Sequence, residues 1–495
     1  MDRIGHWIDG AAFPGGLART GPVWNPATGV QQAEVSLGGA SEVGAAVEAA
    51  AIAFPKWRAT PLSRRTEVLF NFREALSANR RNLAALVTSE HGKTVTDALG
   101  EVARGLENVE YACGALNLLK GEYSEQVSTG IDVYSIRQPL GVVAGITPFN
   151  FPAMVPLWML ANAIACGNTF VLKPSEKDPS ASLLLGRLLD EAGLPPGVFN
   201  VVHGDKEAVD ALLAHPQVSA VSFVGSTPVA KAVYTAGTGA GKRVQALGGA
   251  KNHMVVLPDA DVDLAADAAV SAGFGSSGER CMAVSVVVAV GAIAQPLVDA
   301  IAARIQKLRV GDGSDPDSDM GPLITADHRD RVASYLDIGR SEGAELVVDG
   351  RTHDMPGRGF FLGPSLLDHV QSDMAVYQDE IFGPVLTVAR VDSYDQALQL
   401  VNSNRYGNGT AIFTRDGGAV QSFQYDCQVG MVGVNVPVPV PVASYSFGGW
   451  KESLFGESHI YGPDGIRFYT RTKVVTSRWP GVGTSRVDLG FPGTR

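Results

Sequence analysis

The sequence predicts an α/β protein with two domains built on parallel sheets. Three observations carry this. From Gly141 onward, short apolar runs alternate with helix-like stretches, the pattern of strands covered by crossover helices. A second series of the same kind runs from 254 to about 440. The chain has 495 residues, which at roughly 100–200 residues per domain leaves room for both series.

The elements follow in order. Residues 42–120 read as mostly helical. Ser41 is placed to cap an Ala-rich segment, and Val68, Leu69, Phe72, Leu76, Leu83, Leu86 and Val87 recur at near-helical spacing. Residues 123–137 read as a polar hairpin. The first αβ series supplies strands at 142–146, 169–173, 198–202, 219–225 and 242–247, with helices at 181–191 and 228–236. The second supplies strands at 254–257 and 286–290 and helices at 296–308 and 326–341. Residues 467–479 alternate like a strand, and the Gly/Pro/Ser-rich stretch 480–495 reads as a draped end.

Composition narrows the function classes. The net charge is −11, with no Lys/Arg cluster, which argues against nucleic-acid binding. The most apolar stretch, 283–294, is too short to span a bilayer and is interrupted by Ser285 and Gly291. MDRIGHWIDG has no apolar signal core, which points away from secretion. Cys113, Cys166, Cys281 and Cys427 form no C-x-x-C and no Cys/His cluster. Neither a disulfide framework nor a metal site is expected, and a reducing cytoplasm fits.

No G-x-G-x-x-G follows a strand. GTGAGK (237–242) superficially suggests a phosphate loop. Its spacing is wrong, and Arg243 stands where Ser or Thr would hold magnesium, so it reads as a glycine-rich turn. Two other segments are better placed. LKPSEKDPS (172–180) puts Lys173 and Glu176 at a strand's carboxyl end, where open α/β sheets bind ligands. There they can bond a ribose diol, and the Glu176 carboxylate would repel a 2′-phosphate, favouring NAD. FVGSTPVAKAV (223–233) turns at Gly225 into a helix whose amino terminus at Ser226 offers N–H groups to a phosphate.

GSSGERCMAVS (275–285) sets Cys281 after a small polar run and beside Arg280, whereas Cys166 sits in an apolar segment. A neighbouring cation and flexible backbone are surroundings that stabilise a thiolate. Cys281 is therefore the candidate nucleophile.

TPFNFP (147–152), NTFVLKPSE (168–176), FVGST (223–227), LGG (247–249), GERC (278–281), EIFGPV (380–385) and SFGG (446–449) occur in the order seen in the aldehyde dehydrogenase superfamily. Together they span nearly the whole chain. Within that superfamily the chain resembles the CoA-acylating, methylmalonate-semialdehyde branch, through FNFPAMVPLW, GAKNH, GERCMA and YGPDGIRFYTRTKVVTSRW. Two departures are Glu279, where the branch usually has Gln, and Gly448, where Thr is commoner.

The resemblance implies roles. Cys281 attacks the aldehyde, and Asn150, with the backbone N–H of Cys281, stabilises the oxyanion. Thr147, Phe149, Lys173, Glu176, Gly225, Ser226, Glu380 and Phe382 bind NAD, with Glu380 on the nicotinamide ribose. Arg104 and Arg280 hold the substrate's carboxylate, which a bidentate guanidinium orients as Lys cannot. It also implies an aldehyde dehydrogenase-like fold. Residues 1–122 and 141–250 would form the NAD-binding domain and 251–450 the catalytic domain. Residues 123–140 and 467–479 would form an oligomerisation arm of a dimer of dimers, and 480–495 a tail.

Most members carry a Glu before the L-G-G stretch to activate water. Here Gln245, Ala246 and Leu247 offer no carboxylate. A missing general base costs about 10²–10⁴-fold in its step. The acyl-enzyme would wait for the thiolate of coenzyme A. The sequence thus points to an NAD-dependent, CoA-acylating oxidation of methylmalonate or malonate semialdehyde with loss of CO₂. The alternatives are a hydrolytic dehydrogenase using another base, Glu279 being the obvious candidate, and a catalytically silent homologue.

Overall fold

The computed structural model describes residues 2–15 and 19–479. The tail expected at 480–495 lies outside the described residues.

Two large sheets organise the chain. The first has eight strands, in the spatial order Leu454–Phe455, Arg243–Leu247, Val218–Val224, Val142–Ile146, Thr169–Lys173, Phe199–Val201, His6–Ile8 and Ala11–Phe13. Its five central strands are parallel, as five short β-branched runs joined by helices require. The flanking strands join antiparallel. The chain moves outward from Val142–Ile146 on one side, then returns to lay Val218–Val224 on the other. The strand order therefore reverses between these two neighbours, which opens a crevice at their carboxyl ends.

The second sheet has seven strands, ordered Glu345–Val348, Ser365–Asp368, Val385–Val391, Val284–Val290, Asn252–Val256, Gly409–Phe413 and Met431–Val434. All pairs are parallel except the first. Its central strands are buried on both faces, which is why VSVVVAV is continuously apolar rather than alternating.

Helices Ala40–Ala59, Leu62–Ala78, Arg80–His91 and Val95–Cys113 form the helical stretch expected at 42–120. The Ser41 cap is corrected. The helix begins at Ala40, Gly39 is the cap residue, and the Glu42 carboxylate accepts the Gly39 N–H at 2.9 Å. Trp57 fixes this layer to the Met154–Ala165 helix, its Nε1 donating to the Ile164 carbonyl at 3.1 Å. GTGAGK closes the Thr227–Gly239 helix as a turn, and Lys242 donates to the carbonyls of His215 and Val218.

The segment 467–479 is a strand only in part. Gly462–Phe468 is helical, because Gly465 lets that helix sit against the Asn162 side chain, and the strand is Thr470–Arg478. It pairs with Ile131–Pro139, which pairs with Tyr123–Ser128. Asp132 ties this three-stranded sheet together, accepting from Tyr123 Oη at 2.7 Å, Gln126 N–H at 3.0 Å and Trp479 Nε1 at 2.8 Å. The sequence reading missed a small sheet formed by Asp2–Ile4, Val30–Ser36 and Thr20–Asn25, whose short strands carry little apolar pattern.

Asn168 joins the arm to the first sheet. Its Oδ1 accepts from Leu140 and Gly141 N–H, and its Nδ2 donates to Ala163 and Tyr469 carbonyls. All of this is buried. Asn168→Ala strands those groups and is expected to lower stability by about 2–3 kcal/mol. A urea titration of the variant reads this directly, and an unchanged midpoint contradicts it.

Candidate active site

Cys281 sits on a loop that three consecutive left-handed residues shape. After the Val262–Phe274 helix, Ser276 (φ 53°), Ser277 (φ 55°) and Gly278 (φ 73°) turn the chain back. Such conformations cost a non-glycine residue energy and persist only where the surroundings hold them. Ser277 Oγ donates to the Gly321 carbonyl at 2.7 Å. Gly278 lies so close to the Gly383 carbonyl that a Cβ would overlap it. The Cys281 carbonyl is then held by two amides, Asn252 Nδ2 at 2.9 Å and Asn408 Nδ2 at 3.1 Å. The thiol is thus built onto the amino end of the Val284–Val290 strand.

Two clefts meet at Cys281. The first, of about 320 Å³, opens at the crevice between Val142–Ile146 and Val218–Val224. It brings together Phe149, Asn150, Gly225, Ser226, Glu380 and Phe382 with Cys281. Thr147, Lys173 and Glu176 stand apart from it. Thr147 follows Val142–Ile146, its N–H donating to the Lys173 carbonyl, and Lys173 Nζ donates to Glu176 Oε2 at 3.2 Å. The second cleft, of about 370 Å³, brings Arg104 and Arg280 to Cys281 beside Trp158, Phe447 and Asp97.

The electrostatics differ from the expectation at one point. Arg280 was expected to stabilise the thiolate. Its Nη2 instead donates to Asp97 Oδ1 at 2.6 Å. Burial, and then the carboxylate of Glu380, push the Cys281 thiol up to about 12, and Arg280 only weakly opposes them. The resting thiol is therefore neutral at pH 7. Burial likewise pushes the Glu380 carboxyl up to about 7, although it accepts the Ala250 N–H at 2.9 Å.

Asn150 is buried beside Cys281 and donates one Nδ2 hydrogen to the Glu279 carbonyl at 3.0 Å, leaving its second for another acceptor. Glu279 itself turns away. Its fully buried carboxyl accepts from Ile324 N–H at 3.3 Å and faces His328 Nε2 at 3.4 Å and His91 Nε2 at 3.7 Å. Burial pushes it up to about 8. It lines neither cleft, so adjacency in sequence does not make it a base for water at the thioester.

Gln245 donates to Ser222 Oγ at 2.8 Å, and Ala246 and Leu247 are buried. The acidic residues that do line the clefts are committed elsewhere: Asp97 to Arg280, Glu101 to Lys93, Glu380 to Ala250 N–H.

The first cleft offers a phosphate group a helix amino terminus. Ser226 caps the Thr227–Gly239 helix without a side-chain bond, so no side chain of its own claims that amino terminus. Sequence reasoning missed His328 and Arg331, which line this cleft, and Asp97 and Lys93. His328 and Arg331 fall in ADHRDRVASY, which reads as an ordinary solvated helix face; nothing in its periodicity marks them.

A neutral resting thiol has a measurable consequence. Alkylation of Cys281 in the free protein by iodoacetamide is expected to rise roughly tenfold per pH unit between about pH 7 and pH 9 without levelling. Because burial disfavours the thiolate, the thiolate fraction grows across that whole range. A plateau below pH 8, followed by peptide mass spectrometry, contradicts this.

The profile of the aldehyde dehydrogenase family matches residues 15–475. The malonate-semialdehyde dehydrogenase of Pseudomonas aeruginosa is 56% identical over 97% of this chain and 97% of its own. That of Halalkalibacterium halodurans is 47% identical over 97% and 99%. The crystal structure of methylmalonate-semialdehyde dehydrogenase from Oceanimonas doudoroffii superposes with a TM-score of 0.96 at 55% identity, covering 98% of this chain and 99% of that one. A chain from Sinorhizobium meliloti 1021, crystallised in complex with NAD, superposes equally at 52% identity, covering 98% and 99%. Matched over residues 15–475 and by relatives along nearly its whole length, the chain belongs to the aldehyde dehydrogenase family.

Proposed function

We propose that this chain oxidises malonate semialdehyde and methylmalonate semialdehyde with NAD and coenzyme A, releasing CO₂ and acetyl-CoA or propionyl-CoA. The observation that carries this is a nucleophile shared by two clefts, one bearing two arginines, with no carboxylate at 245–247. The names of the relatives support the substrate class.

In this reading Arg104 and Arg280 pair with the substrate's carboxylate and set its aldehyde carbon beside Cys281 Sγ. The two guanidiniums have internal partners at rest, Glu107 and Asp97, so the substrate's carboxylate competes for charges already oriented. Sγ gives its proton to solvent in the cleft and adds to the aldehyde carbon. Asn150 Nδ2 and the Cys281 backbone N–H donate to the oxygen as its charge develops. Gly225 and Ser226 would hold the pyrophosphate of NAD, Lys173 and Glu176 its adenosine ribose, and Glu380 its nicotinamide ribose, with Thr147, Phe149 and Phe382 alongside. NAD bound there supplies the hydride acceptor that turns the thiohemiacetal into a thioester. The thioester carbonyl accepts the electron pair of the breaking C–C bond as CO₂ leaves, and the enolate so formed takes a proton at its α-carbon, from solvent or from the thiol of coenzyme A, which restores the carbonyl. The thiolate of coenzyme A then attacks that carbonyl, and Cys281 departs as a thiolate.

The sheet of Tyr123–Ser128, Ile131–Pro139 and Thr470–Arg478 leaves Tyr123, Val127, Ile136, Val474 and Trp479 exposed. Such an edge needs a partner, and we propose that it builds a homotetramer, a dimer of dimers. Among the described residues no helix is long and apolar enough to cross a membrane. The cysteines are free, and we propose a cytoplasmic enzyme.

The decisive experiment is rapid mixing with semialdehyde and NAD, with and without coenzyme A. One fast equivalent of NADH per subunit, then near arrest, is expected without it. Steady turnover and an acyl-CoA product are expected with it. Multiple-turnover release of free acid in CoA-free buffer contradicts this and marks a hydrolytic enzyme; no burst at all marks a silent homologue.

Arg104→Leu and Arg280→Leu are expected to raise KM for the carboxylated semialdehydes by roughly 10–100-fold, since a charge-assisted pair contributes about 1.5–3 kcal/mol only when its anion is present. Propanal turnover should be spared. Equal losses on both substrates contradict the assignment.

A further inference from the structure

We propose that Lys93 is a positioning residue for the oxyanion site, acting through Asn150. This rests on the reading of Asn150 as the oxyanion donor and adds the group that holds it there.

Lys93 is fully buried, which is rare for an ammonium and demands a full set of partners. The Arg80–His91 helix ends at Gly92, whose left-handed backbone (φ 95°) turns the chain so that Lys93 runs inward. Val95 N–H then donates to the Gly313 carbonyl at 2.9 Å, anchoring the segment to the second αβ series. Lys93 Nζ donates to the backbone carbonyl of Asn150 at 2.6 Å and pairs with Glu101 Oε2 at 2.8 Å. It also lies 4.3 Å from the ring centroid of Phe151.

Glu101 completes the clamp from the other side. Its Oε1 accepts the N–H groups of Ala153 and Met154 at 2.8 and 3.1 Å, at the amino end of the Met154–Ala165 helix. One buried ion pair thereby grips the carbonyl of Asn150 and the N–H groups of Ala153 and Met154. Among the described residues the Asn150 side chain has a single anchor, the Glu279 carbonyl. Its backbone depends on Lys93. Oxyanion donors act by being placed before charge develops, so loss of the grip should appear in the rate of the chemical step and not in cofactor affinity. An apolar residue could fill the space but could not donate to a carbonyl and a carboxylate together.

The test is a mutant cycle on the single-turnover rate of NADH formation, with propanal as well as the semialdehydes. Because that rate precedes any acyl transfer, failure of the CoA-acylating reading would show in product identity and leave this cycle intact. Lys93→Met is expected to slow the step by roughly 10²-fold, comparable with loss of an oxyanion donor, while the NAD dissociation constant changes less than about threefold. Adding Asn150→Ala to Lys93→Met should slow it no further than Asn150→Ala alone. The iodoacetamide reactivity of Cys281 in the free protein should match the unmodified chain, because Lys93 does not hold the thiol. If Lys93→Met leaves Glu101 uncompensated and the chain does not fold, the charge-neutral pair Lys93→Met/Glu101→Gln is measured in its place. An unchanged rate in either variant overturns the proposal. So do losses that multiply with that of Asn150→Ala, or an equal weakening of NAD binding and of thiol reactivity, which would mark a general structural role.

Discussion

The site depends on one steric constraint: the tight turn before Cys281 must close against the backbone at Gly383. Ser276, Ser277 and Gly278 are left-handed in succession, and no side chain fits between Gly278 and the Gly383 carbonyl. This contact joins the nucleophile loop to the segment that carries Glu380 and Phe382. Once it is made, Asn252 and Asn408 can both reach the Cys281 carbonyl, and the thiol stands where both clefts end. The turn is held by the Ser277 Oγ bond to the Gly321 carbonyl and by the close approach at Gly383.

Burial then sets the chemistry of what surrounds the thiol. Cys281, Glu380 and Glu279 are all displaced toward their neutral forms by the loss of water, and the nearby cations do not offset it because they are paired elsewhere. A site of this kind holds few free charges at rest. The arginines of the second cleft are oriented by Asp97 and Glu107, so under the proposed function an incoming carboxylate would find guanidiniums already placed. With no carboxylate at 245–247 to activate water, an acyl-enzyme here would persist until another nucleophile arrives.

Much of this was legible in the residues. Short β-branched runs with helices between them can bury their faces only in a parallel sheet, so the central strands were readable to within a residue or two. Cys281 was distinguishable from Cys166 by its neighbours alone. The reading failed where local pattern is weak or ambiguous. Ser41 is a good cap by residue type, yet the helix starts earlier because Glu42 can reach the Gly39 N–H. Arg467 and Phe468 look like strand residues but close a helix against Asn162. Glu279, two residues from Cys281, was only the alternative base, and its carboxyl turns toward His91 and His328 instead.

By itself the sequence determined the α/β class, the family, Cys281 as the candidate nucleophile and the absence of a carboxylate before L-G-G, because these depend on residue type and short-range order. Only the tertiary structure decided which groups meet. It turned Glu279 toward His91 and His328, assigned Arg280 to Asp97, and buried Lys93 between Glu101 and Asn150. These contacts join residues far apart in the chain, Arg280 and Asp97 by 183 positions and Glu279 and His91 by more. Periodicity and motif spacing report only on neighbours along the chain, whereas a charge withdrawn from water takes whichever partner the packing brings within reach.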